Sequence, residues 1–198
     1  MNYQELLKRT AELATKFLDE LQERPVGRPV SYAEMLSRLG GALPAAGEDA
    51  RRVIEKLAVA ADPGLVATPG PRYFGFVVGG AHPASLAAEW LTATWDQNAG
   101  GYALSPAAAA TEELVRTWLV ELFGLPREMS LGFVTGGTMA NFTALAAARR
   151  ALLQSAGWDV EVQGLFGAPT LSVVTSAESH VSIFASLQML GLGRLPKP

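Results

Sequence analysis

A chain of 198 residues, 49% of them hydrophobic, is long enough to bury a core as one domain or a domain with an extension. Its 16 Lys and Arg, scattered within a formal charge of −3, offer no basic field to a nucleic acid, and the lack of cysteine with only two histidines, His82 and His180, excludes disulfides and leaves no metal site expected. The opening MNYQELLKRTAEL is polar and periodic and no apolar run reaches membrane-spanning length, so a soluble cytoplasmic protein with no nucleic-acid or membrane partner is expected.

Tyr3, Leu6, Leu13, Phe17 and Leu21 fall on one helical stripe, which predicts an amphipathic helix over 3–23 ended by Arg24-Pro25. Ser31 with Glu34 three residues on reads as a capping box, opening a short helix that stops at Gly40-Gly41. Val53, Ile54, Leu57 and Ala61 mark a further amphipathic helix closed by Asp62-Pro63-Gly64. Residues 1–67 therefore read as a helical arm with little of its own to bury against, lying on its own domain or exchanged between two subunits.

From Thr68 the texture changes, and PGPRYFGFVVGGAHP predicts a shaped loop in which His82 is structural. Pro83 can open a helix that runs to about Gln97, and Ser105-Pro106 repeats that signal for a helix with Leu114, Val115, Trp118, Leu119 and Leu122 as its buried face, ended by Gly124. A strand over 132–135, a helix from Met139 to about Ala156, a second strand over 170–175 (TLSVVT) and a helix from about Ser179 to Leu190 follow. That alternation predicts an α/β fold with parallel strands and crossover helices. Two strands leave the apolar faces of helices 83–97 and 106–123 uncovered, so the isolated chain is expected to associate.

In a parallel α/β sheet ligands bind beyond the carboxyl ends of the strands. Gly136-Gly137-Thr138-Met139 follows the first predicted strand, where the N–H groups of Gly137, Thr138 and Met139 and the Thr138 hydroxyl can face a phosphate. A plain strand-to-helix turn explains the same residues equally well. His180 follows the second strand, where a lone histidine at a helix start is more often a cap than a catalyst; beside the glycine turn, however, its flat ring could stack on a flat aromatic ligand.

The blocks PRYFGFVV, AAEWLTATWDQN, SPAAAATEELVRTWL, GFVTGGTMANFTALAAAR and VVTSAESHVSIFASLQMLGLG, in this order over roughly residues 68–193, resemble the pyridoxal-phosphate-dependent amino-acid decarboxylases, the group with glutamate and aromatic-amino-acid decarboxylases. The resemblance implies an N-terminal helical arm (1–67) that interlocks subunits, followed by the first, incomplete part of a fold-type I large domain (68–198). It implies pyridoxal phosphate as cofactor, with Gly137, Thr138 and Met139 cradling its phosphate and His180 stacking on its ring and meeting the substrate. Phe76, Val77 and Val78 are implied as a substrate wall, apolar enough to favour an apolar or aromatic amino acid.

Members of that family are more than twice this long, and their Schiff-base lysine follows a histidine beyond the blocks matched. Here lysines stand only at 8, 16, 56 and 197, none after a histidine. The expectation is a portion that is inactive alone and completed by a homodimer partner or a companion chain carrying the C-terminal half. Another fold-type I reaction, such as transamination or aldol cleavage, and a non-catalytic assembly role are the rival expectations.

Overall fold

The computed structural model describes residues 2–193, which fall into two compact units meeting in sequence at Asp96 and Gln97. Each is a set of helices, and among the described residues every α-helix except Gly137–Ser155 starts at a side-chain cap.

In the first unit, α1 (Tyr3–Asp19) is opened by Asn2, whose Oδ1 accepts from Glu5 N. Ser31 caps α2 (Tyr32–Leu39) by accepting from Glu34 N at 3.1 Å. The reciprocal half of the expected capping box is missing: Glu34 Oε1 instead accepts from Arg38 Nε and Nη2 at 3.1 and 3.0 Å, one helical turn on, because a guanidinium is the stronger donor to a carboxylate. Asp49 caps α3 (Ala50–Ala61), which runs into a single 3-10 turn at Asp62–Gly64. Both α1 and α2 pack on α3. Arg24 ties the end of this group together, since its guanidinium donates to the Asp62 carboxylate and carbonyl and lies 4.8 Å from the centre of the Phe17 ring. His82 caps α4 (Pro83–Trp95) through Nδ1, and Asp96 ends it in the left-handed conformation.

None of α1, α2, α3 and α4 carries a fully buried residue, and Ala67 is the one buried hydrophobic side chain of the first unit among the described residues. The α1 stripe is half-covered at Leu6, Leu13, Phe17 and Leu21 and exposed at Tyr3. A polar link joins α1 to α3 beside that stripe. Arg9 Nε donates to Glu55 Oε1 at 2.9 Å and Arg51 Nε donates to the same oxygen at 3.3 Å; these hydrogen bonds hold the Glu55 carboxyl below its ordinary value of 4.5. A carboxylate lowered on folding stabilises the fold above its unfolded value and releases that contribution as pH falls through the folded one. Both side chains of the Arg9–Glu55 pair are 36% exposed, so the contribution is small and local. The protection factors of the α1 amides, corrected for the intrinsic pH dependence of exchange, should fall as pH drops below the ordinary Glu55 value of 4.5, and unchanged protection there would show that the Glu55 link holds nothing.

In the second unit, α5 (Pro106–Leu122) starts at a buried Ser105 whose Oγ accepts from Ala108 N. The long α6 (Gly137–Ser155) packs along α8 (Val181–Met189), with the single-turn α7 (Val160–Gln163) between them in sequence. Leu153 on α6 is 0% exposed and Leu187 on α8 is 1% exposed, and Arg149 Nη1 donates to Leu190 O at 2.7 Å, so the pair is closed by apolar burial along its length and by a guanidinium at one end. Trp90, Leu91 and Trp95 on α4 are exposed, and Leu114, Trp118 and Leu122, expected as the buried face of α5, are exposed too, since among the described residues no sheet forms to cover them. Among the described residues no helix is long and apolar enough to cross a membrane.

The two expected strands are not formed. Residues 132–135 and 170–175 are neither helix nor ladder, and among the described residues no backbone hydrogen bond joins either stretch to another segment. Their apolar, β-branched composition suits a strand, but a strand exists only through its pairing, which intrinsic preference does not supply.

Candidate functional site

The first turn of α6 is built to leave donors free. Gly136 precedes it with an extended backbone and offers no capping side chain, so the N–H groups of Gly137, Thr138 and Met139 are not satisfied by a cap. A methyl group placed on Gly136 or Gly137 would meet no atom within 4 Å, and all three donor residues are exposed. The turn is thus an open, positively polarised helix start flanked by unfilled space, which fits a phosphate dianion by the chemistry of its donors.

His180 is brought to this turn by hydrogen bonds through side chains. Its Nδ1 caps α8, accepting from Ser182 N at 3.2 Å and lying 2.8 Å from Ser182 Oγ. Ser182 Oγ in turn accepts from Asn141 Nδ2 at 2.9 Å, and Asn141 stands one turn into α6. The fully buried Ser186 Oγ lies 2.7 Å from Ser182 O and 3.2 Å from Thr138 O, pinning α8 to the donor turn itself. The His180 ring is exposed while everything that holds it is buried or half-buried. A capping role and a ligand-facing role are therefore compatible in this residue.

Phe76, Val77 and Val78 belong to the first unit. Phe76 and Val77 have φ of 55° and 54°, two successive non-glycine residues in the left-handed region, and their side chains are 96% and 105% exposed. That conformation costs on the order of 1–3 kcal/mol per residue and is worst for a β-branched valine. The strain holds two apolar side chains out in the open.

Sequence reasoning missed Asn141, Ser182 and Ser186. The available signals were an amide in the second turn of an alanine-rich helix and a serine two places after His180, where His82 has Ala84. A roomy groove between α2, its following loop and α3, lined by Leu39, Leu43, Val53 and Leu57, contains neither histidine nor helix start suited to an anion. Among the described residues no cluster of three or more His, Asp or Glu is placed to hold a metal ion.

A family model described as the pyridoxal-dependent decarboxylase conserved domain matches residues 33–196. The acidic amino acid decarboxylase GADL1 of Xenopus tropicalis is 31% identical over 128 residues, covering 65% of this chain and 24% of that protein. An aromatic-L-amino-acid decarboxylase of Bacillus atrophaeus is 24% identical over 180 residues, covering 91% of this chain and 35% of that protein. Mouse CSAD in its apo form superposes with a TM-score of 0.86 at 25% identity, covering 96% of this chain and 40% of that one. Oryza sativa TDC with PLP superposes with a TM-score of 0.78 at 23% identity, covering 95% of this chain and 41% of that one, a likeness of fold. The chain thus spans 24% and 35% of the length of these curated relatives. The α/β class read from the sequence agrees with these fold neighbours, although the segments meant for the sheet are unpaired here.

Proposed function

Since the chain belongs to the pyridoxal-dependent decarboxylase family, as an N-terminal portion of it, we propose that the complete protein removes the α-carboxylate of an amino acid with pyridoxal phosphate, and that these residues supply the phosphate turn, the ring-facing histidine and part of the substrate wall. The observation that carries this reading is the uncapped start of α6 with His180 tied to it through Ser182 and Asn141. Gly137, Thr138 and Met139 bind the phosphate through their N–H groups, and the Thr138 hydroxyl adds a fourth donor. His180 covers the ring and keeps a ring N–H beside the reacting atoms. Bound pyridoxal phosphate supplies an electron sink for the pair left behind when carbon dioxide departs.

The substrate wall is assigned to Phe76, Val77 and Val78, whose apolar side chains favour an apolar or aromatic amino acid. The chain is similar both to an acidic amino acid decarboxylase and to an aromatic-L-amino-acid decarboxylase, so the support for this choice is the wall itself. The arm of residues 1–67, with its half-covered stripe, is assigned to subunit exchange in a homodimer, or to seating a companion chain that completes the active site.

Titration calorimetry with pyridoxal phosphate, pyridoxal and inorganic phosphate tests the site. Pyridoxal phosphate is expected to bind at least tenfold more tightly than either piece, since turn and histidine each recognise one part of it. Equal binding of pyridoxal and its phosphate would remove the α6 turn from the site. Release of carbon dioxide from tyrosine- or tryptophan-type rather than aspartate-type substrates, measured on the completed enzyme, tests the wall.

A further inference from the structure

The two histidines of this chain begin helices in the same way, and one difference between them exposes a device. His82 Nδ1 accepts from Ala84 N at 3.2 Å, and His180 Nδ1 accepts from Ser182 N at 3.2 Å. At the second position after the histidine the first has a methyl group and the second a hydroxyl, 2.8 Å from the ring nitrogen. His82 is held by one donor. His180 has a second within reach, and what that hydroxyl does depends on its own partner.

Ser182 has a single hydroxyl proton. Asn141 Nδ2 approaches Ser182 Oγ at 2.9 Å and can only donate, so one of the two acceptor positions of that oxygen is filled and its proton is left to point at His180 Nδ1. The single Nδ1 lone pair is then shared by a backbone N–H and a hydroxyl, and a proton of its own there would face the Ser182 N–H and displace the hydroxyl proton. We infer that Asn141 and Ser182 are positioning residues that fix the neutral His180 ring with its proton on Nε2 and hold that ring against the first turn of α6. The consequence for the reaction rests on His180 being the site histidine proposed above: the ring would present a proton at Nε2, with its tautomer set from α6 and not by the ligand.

Ser186 makes the arrangement rigid. Its buried hydroxyl reaches Ser182 O on its own helix, and the same oxygen lies 3.2 Å from Thr138 O at the donor turn. The relay therefore begins and ends on the helix whose start is proposed to hold the phosphate.

Ring 15N signals of the full chain, recorded at about pH 8.5, roughly two units above the ordinary imidazole value of about 6.5, test this directly, with His82 as the reference in the same spectrum. His180 is expected to show a fully unprotonated Nδ1 and a protonated Nε2, and His82 a more averaged pair. Ser182→Ala should make His180 resemble His82, and Ser182→Thr should restore the original pattern. Asn141→Asp reverses the relay, because a carboxylate takes the Ser182 proton and turns its oxygen into an acceptor; the Nδ1 signal should move toward the protonated value. Identical patterns for the two histidines in the unaltered chain, or an Nδ1 signal unmoved by Asn141→Asp with the His82 signals intact, would overturn the relay. No cofactor enters the measurement. Failure to bind pyridoxal phosphate would sink the site reading and leave the relay standing, while matched histidine patterns would do the reverse.

Discussion

Gly137→Ala should weaken pyridoxal phosphate binding by about ten- to a hundredfold while leaving the helix content of the chain unchanged. Side-chain bonds on a helix tilt toward its N-terminus, so the new methyl group would occupy the space in front of the α6 donors. That space is empty of protein, with no atom within 4 Å of the added carbon, so the fold gives no reason to resist the substitution. A hydrogen bond to a charged group is worth about 1.5–3 kcal/mol, and each 1.4 kcal/mol is a factor of about ten in affinity. Displacing the phosphate from one of the three proposed backbone donors gives the stated loss. Fluorescence titration of the variant checks it, and an unchanged affinity would mean that the phosphate sits elsewhere.

The second large effect is on stability. Leu153→Ala should cost the second unit about 2–5 kcal/mol, the range for emptying a fully packed leucine site, against a total of about 5–15 kcal/mol for an ordinary domain. Leu153 is 0% exposed on α6 opposite the helix that bears Leu187, and few other side chains in this unit are buried enough to share the load. A urea titration followed by the α6 signals should show the midpoint fall. Leu153→Met, which conserves volume, should lose less than about 1.5 kcal/mol. Equal midpoints for both variants would show that the α6–α8 seam is not the core.

Helix starts were the most legible part of the sequence because each is written in a few adjacent residues. Ser31, Ser105 with Pro106, and Pro83 open helices where their chemistry says they should. The α6 start lies at Gly137, two residues before the expected Met139, since glycine is poor in a helix interior yet tolerated in the first turn, where no intrahelical partner is lost. The four-residue α7, capped by Asp159, was missed because one turn is too short to show a period. The strands failed for the opposite reason: 132–135 and 170–175 have the right residues, but pairing is a property of neighbours and not of the segment. At the site, the glycine turn and His180 could be read singly. Their connection could not, since it runs through Asn141 and Ser182, which are 41 residues apart and carry no mark of belonging together.

The thinly buried first unit has a consequence in time. At a synthesis rate of about 5–20 residues per second, the second unit takes roughly 5–20 seconds to follow the first out of a ribosome. Throughout that interval the exposed Trp90 and Leu91 and the half-covered stripe of α1 stand in water. A nascent chain with so little burial would expose these apolar faces for seconds to any chaperone that binds short apolar segments.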